Sequence, residues 1–190
     1  MSTIINGTSS AITFPDATVQ NTSAVVSGKV PASLLPAGTV LQVAQQVYTT
    51  YTSTSSNSMV DSGLTVNITP SNSSNKVLVT VSMTIASSSA GYDIAANIVR
   101  NGTTVGIGTA SSNTNSTAAT VISTPNHPNS LSFCYLDSPS TTSAVTYKIQ
   151  WRIQSGATAY MNATTYVSGG SDTYQSGYIS TITVQEISGS

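Results

Sequence analysis

A chain of 190 residues has room for one all-β domain and an appendage, and 5 basic against 6 acidic residues leave it a net charge of −1. The basic residues Lys29, Lys76, Arg100, Lys148 and Arg152 are scattered, which excludes the clustered cations that nucleic-acid binding needs. No apolar run approaches the roughly 18 residues of a membrane helix, and one cysteine excludes a disulfide within the chain, so stability must come from packing or oligomerisation.

Charged residues make up only 6% of the chain, where an ordinary globular protein carries about 25%. Serine and threonine fill the gap, and threonine is also a good strand residue. Helical domains usually solubilise themselves with Lys and Glu, and Glu186 is the sole glutamate here. Low helix content is expected. The opening MSTIINGTSS has neither a basic nor an apolar region, so no secretory leader is expected.

Residues 1–39 differ from the rest. Their apolar residues are sparse, led by Ile4, Ile5, Ile12, Phe14 and Val19, and keep no regular period. Pro15, Pro31 and Pro36 interrupt any helix. Such a segment has no core of its own. Extended, it could reach on the order of 100 Å. We read it as an assembly arm that lies on another protein.

From Val40 onward the pattern is that of strands and turns. The first strand is expected over 40–52, with Leu41, Val43, Val47 and Tyr51 on odd positions and Gln45 as a polar exception. The second covers 59–69, where Leu64, Val66 and Ile68 alternate with polar residues and Asp61-Ser-Gly63 signals a bend or bulge. The third covers 76–87, with Val77, Val79, Val81, Met83 and Ile85 on one face. The apolar faces of this stretch are expected to begin the core of a sheet with one wet face. A fourth strand over 92–100 ends in Asn101-Gly102, the strongest short hairpin signal, so residues 103–107 should pair back on it.

Further strands are expected over 117–123 and 130–136, and Cys134 in the second reads as a small buried core residue. Residues 144–154 alternate most cleanly, placing Val145, Tyr147, Ile149, Trp151 and Ile153 on one face of a central strand. Strands over 157–167 and 178–187 complete the set. Nine or ten strands at this spacing predict an all-β fold, a jelly-roll-like antiparallel β-sandwich over 40–190 preceded by the extended N-terminal arm. An immunoglobulin-type sandwich is the alternative, but its Cys–Trp–Cys framework is missing.

No pattern carries catalysis, a metal site or a cofactor site. His127 is the only histidine and lies between Asn126 and Pro128. One His and one Cys fall short of a zinc set unless a symmetry axis multiplies them. Asp61, Asp137 and Asp172 sit at expected turns, where aspartate bonds its own backbone. Asp93 reads as a surface residue, and Glu186 shares the face of Ile182 and Val184 near a frayed end. Tyr160, Tyr166 and Tyr174 cluster late among Gly, Ser and Asn, a composition suited to adaptable contact surfaces, and are candidate receptor contacts. Ordinary strand tyrosines are the plainer alternative.

Residues 11–24, AITFPDATVQNTSA, resemble a segment near the N-termini of tailed-phage fibre and other virion appendage proteins, typically ITFPDGTVQ. Ala17 stands where that segment carries glycine. Residues 35–43, 60–71 and 74–79, the piece 100–103 and the ending 179–187 are similar to a β-domain of phage and cyanophage structural proteins. The resemblance implies homotrimers, a jelly-roll-like C-terminal domain and an N-terminal attachment segment. It implies a non-enzymatic protein on the virion exterior, without cofactor or membrane insertion. The expected role is a trimeric tail fibre or tip protein. Its residues 1–39 would bind other virion proteins, and its domain would contact a host-surface glycan or protein. A capsid decoration (cement) protein stabilising the head is the alternative, and a glycan-degrading spike is a third.

Overall fold

The computed structural model of the chain describes residues 35–109, 116–163 and 177–189, with Val30 and two short strands besides, and every regular element among them is a β-strand. The short strands, β1 (Ala11–Thr13) and β2 (Val19–Asn21), pair with each other antiparallel, Ile12 opposite Gln20 and Thr13 opposite Val19. Of the arm residues singled out above, Ile12 and Val19 belong to this hairpin. Ile4, Ile5 and Phe14 lie outside the described residues.

The domain is built from β3 (Val40–Tyr48), β4 (Thr52–Thr54), β5 (Val60–Ile68), β6 (Lys76–Ser87), β7 (Tyr92–Arg100), β8 (Thr103–Val105), β9 (Ala118–Ile122), β10 (Asn129–Asp137), β11 (Val145–Ile153), β12 (Ala159–Met161) and β13 (Ser180–Ile187). Three pairs of strands lie end to end. One edge of β6 takes β13 and then β12, and β3 and β4 follow on the far side of that line. One edge of β7 takes β8 and then β9. Counted as eight lines in chain order, the first sheet runs first–eighth–third–sixth, ending on β10, and the second runs second–seventh–fourth–fifth. All these pairings are antiparallel. Two sheets so interleaved form a jelly roll, as the strand count predicted.

Alternation explains the core. Val77, Val79, Val81, Met83 and Ile85 of β6 face Leu64, Val66 and Ile68 of β5 and the odd residues of β11 across the sandwich, and nearly all are fully buried. Trp151 sits on β11 between β5 and β7, as its pattern predicted. Its indole Nε1 is the one buried side-chain polar atom without a partner among the described residues. An unmet donor of this kind costs about 1–3 kcal/mol. The Asn-Gly hairpin also forms, with φ of 45° at Asn101 and 87° at Gly102, and Arg100 faces Thr103. Both central residues are thus left-handed, as a type I′ turn requires.

The bulge expected at Gly63 is present, for the β5–β11 register shifts between Lys148 and Gln150. Gly63 has φ +94°, and a Cβ there would stand 2.7 Å from the Tyr48 hydroxyl, so no other residue fits without moving that ring.

Two expectations about which side chains enter the core fail, both on edge strands of the first sheet. On β3 the half-buried residues Ala44, Gln46 and Tyr48 lie opposite Val184, Ile182 and Ser180, and exposed Gln42 lies opposite Glu186. Val43 and Val47 point outward and are at least half exposed. Period-2 alternation was correct but the face was inverted, because the glutamines of the other face serve polar groups of the neighbouring elements. On β10, Leu131, Phe133, Tyr135 and Asp137 turn inward, so Cys134 is exposed on the outer face beside Leu136. Its partner across β6 is outward-facing Thr80.

Candidate functional site: an arm end and a loop end

The chain enters and leaves the sandwich side by side. Gly38 N donates to Ser188 O at 2.9 Å and Ser188 N to Thr39 O at 2.8 Å. The 69–75 and 138–144 connections lie at this same end, which we call the arm end.

Two buried carboxylates hold it. Glu186, far from frayed, is fully buried. Its Oε1 accepts from Ser71 N at 2.6 Å, Ser71 Oγ at 2.8 Å and Asn75 Nδ2 at 2.6 Å, and its Oε2 accepts from Gln42 Nε2 at 2.6 Å. Gln42 Nε2 also reaches Thr69 O, and Asn75 Oδ1 accepts from Gly189 N. Burial pushes the Glu186 carboxyl up, but the bonds from Asn75, Gln42 and Ser71 outweigh it and hold the group below the usual carboxylate range. One acid thereby fastens β3, the 69–75 turn and β13.

The second is Asp137. Arg100 Nη1 meets both of its oxygens, at 2.9 and 2.8 Å, and Tyr147 OH donates to Oδ2 at 2.6 Å. Asp137 closes β10 of the first sheet, while Arg100 and Tyr147 belong to the second, so this clasp joins the two sheets. Burial first, and then the adjoining carboxylate, push the Tyr147 hydroxyl far above the ordinary tyrosine range, so it stays a donor. Asp137 is therefore a buried inter-sheet partner, against the expected turn role. Asp61 likewise departs from that expectation. It pairs with Lys148 Nζ at 2.7 Å and accepts from Gln150 Nε2 at 2.8 Å, and these bonds hold its carboxyl below the usual range.

At the opposite, loop end lie residues 49–59, 88–91, 123–128 and 154–158. They contain hydroxyl, amide and small side chains, and His127 is their only ionisable residue outside the tyrosine Tyr51. They are laced together: Ser88 N donates to Thr158 O, Asn126 N to Ser87 O and Ile153 N to Ser56 O, each at 2.9 Å. His127 O accepts from Asn129 Nδ2, which accounts for a loop contact and nothing chemical.

Tyr160 of β12 points outward, since its neighbours Ala159 and Met161 are buried. Its ring stacks on Tyr51 with centroids 6.1 Å apart and planes at 23°. Tyr166 and Tyr174 lie outside the described residues. Directly after Met161, Asn162 adopts φ +64° and ends β12. Asn162 Nδ2 donates to Tyr48 O at 2.7 Å and Thr50 O at 3.2 Å, and its Oδ1 accepts from Ser180 Oγ at 2.6 Å. The sequence carried one signal for this knot, a left-handed-tolerant Asn amid a strand-like run. The Tyr51–Tyr160 pair is thus a two-ring platform on a firmly tied neck.

Three of the four described carboxylates, Asp61, Asp137 and Glu186, are spent on these structural bonds, and Asp93 is exposed. Among the described residues no group of three or more His, Cys, Asp or Glu gathers to hold a metal ion, and no helix is long and apolar enough to cross a membrane.

No protein-family model matches the chain, and no curated protein matches its sequence. Solved structures with a similar backbone include the VP2 subviral particle of infectious bursal disease virus, at TM-score 0.38 and 12% identity over 77% of this chain and 40% of that one. The structure of the infectious bursal disease virus Gx strain is similar at TM-score 0.37 and 12% identity, over 78% and 42% of the two chains. The chain spans about two fifths of the length of the solved chains it matches.

Proposed function

We propose that the protein is a non-enzymatic structural component of a virion, built as a tail fibre or tip protein whose residues 1–39 attach it to other virion proteins. The observation that carries this reading is the polarity of the jelly roll. Both buried carboxylate clasps brace the end where the chain enters, as an anchoring end requires, while the opposite end offers neutral loops and the Tyr51–Tyr160 platform. The likeness of residues 11–24 to phage appendage segments supports a tailed-phage address.

The neutral loop end suits a hydroxyl-rich partner such as a host-surface glycan, which aromatic rings can stack on and amides can hydrogen-bond. The commitment of three of the four described carboxylates to structural bonds leaves no free acid pair among the described residues, which a glycan-degrading spike needs.

Quantifying the chain against the major shell protein in purified particles tests the address. Tail stoichiometry is expected. Shell stoichiometry would make it a decoration protein, and absence from particles would overturn the virion role itself.

A further inference from the structure

The outer faces of the two sheets divide the chain's surface chemistry unequally. The second sheet's outer side carries Asp61, Asp93, Lys148 and Arg152, four of the eight described charged residues. Three more, Arg100, Asp137 and Glu186, belong to the arm-end clasps. The first sheet's outer face has Lys76 alone. It carries more of the exposed apolar residues: Val43 (57%), Val47 (50%) and Leu136 (51%) on its two edge strands, with Ile179 beside them, against Val121 on β9 of the second sheet. Between them run neutral rows such as Gln45–Thr183–Thr80–Cys134.

The inverted alternation of β3 belongs to the same pattern. A strand that turns Val43 and Val47 to solvent while half-buried Gln46 faces the neighbouring sheet, and Gln42 lies opposite Glu186, departs from the ordinary sorting of a half-wet sheet. It agrees with that sorting if both faces are covered. These two glutamines already have work, Gln42 on Glu186 and Gln46 on Thr65 N at 2.6 Å.

We infer that the outer face of the sheet β3–β13–β6–β10 is an interface that buries against a second copy of this chain. Four strands at about 4.8 Å spacing and nine residues at about 3.4 Å rise give a face of roughly 600 Å². A stable interface uses about 800 Å² per partner, and Val40 and Ile179 at the rim extend the face toward that size. A face with one cation and no anion is poorly matched to a charged partner and needs no charge from its occupant. A copy of the same face supplies apolar rims, hydroxyls and amides that meet their like across a sheet-on-sheet packing distance of about 10 Å.

Light scattering on the full chain during size exclusion tests this. The expected mass is at least twice 19.4 kDa. Thr80→Lys, which places a charge at the exposed centre of the face, should reduce the mass to that of one chain. Thr65→Lys, on the outer side of the second sheet, should leave it unchanged. Cys134 reports the same event without engineering, because it is the sole thiol and lies on this face. It should be protected from maleimide in the wild-type assembly and exposed in Thr80→Lys, with the fold of both checked by Trp151 fluorescence. A wild-type mass of one chain at 100 µM overturns the inference. So does an assembly that survives Thr80→Lys, or one in which Cys134 reacts as freely as in the unfolded chain.

Discussion

Glu186→Ala is expected to destabilise the β-domain by about 3 kcal/mol or more, read as a shift in urea midpoint. The carboxylate takes four hydrogen bonds from three side chains and one backbone amide, all converging at a fully buried position. Removing it strands the buried Asn75 amide, at about 1–3 kcal/mol for an unmet buried donor, and unties Gln42 and Ser71 from β13. Glu186→Gln keeps the volume but replaces one acceptor oxygen by an NH2 facing other donors, so an intermediate loss is expected. The acid also sets a pH dependence. Its folded pKa lies below the unfolded one, so its contribution is complete above the ordinary glutamate value of about 4.3 and is lost as pH falls through the folded pKa. Wild-type stability should therefore decline at acid pH more steeply than that of Glu186→Gln. Equal slopes for the two proteins would contradict the assignment.

Arg100→Met is expected to cost about 2–4 kcal/mol, because it leaves a buried carboxylate without its cation. The Asp137 side chain is only 5% exposed, and that of Arg100 is 26% exposed, which places the effect below that of a fully interior pair. Part of the loss should return in Arg100→Met/Asp137→Leu, where no charge is left buried. Lys148→Met offers the contrast. Its partner Asp61 is more than half exposed, and screened surface pairs of this kind contribute little. Chemical denaturation followed through the single buried Trp151 measures all three. A neutral Arg100→Met would show that the inter-sheet clasp does not hold the sandwich.

Much of the sandwich was legible because the chain writes one apolar and one polar face into β5, β6 and β11. Alternation reports a period, however, and not which side the core lies on. Alternation therefore places Val43 and Val47 with the core, although only their distant partners decide it. Gln42 meets Glu186 across 144 residues, a pairing no local pattern contains. Cys134 was misplaced for a related reason. The run from Leu131 to Leu136 reads as uniformly apolar until Ser132 is used to set its phase. Trp151, the Asn101-Gly102 turn and the Gly63 bulge were readable because each depends on its immediate neighbours.

The candidate site was less legible. Tyr160 could be singled out, but its stacking partner Tyr51 is more than a hundred positions away, and Asn162 acts through backbone groups of another strand. Asp137 reads as a turn residue, and Glu186 as one near a frayed end, because burial is a property of the assembled sheets.

The central claim is that residues 1–39 attach a self-sufficient jelly roll to a virion. The most direct measurement compares particle incorporation of the full chain with that of a chain beginning at Val40. The shortened chain is expected to keep the cooperative unfolding of the β-domain and to be lost from purified particles. Its incorporation at the level of the full chain would contradict the account.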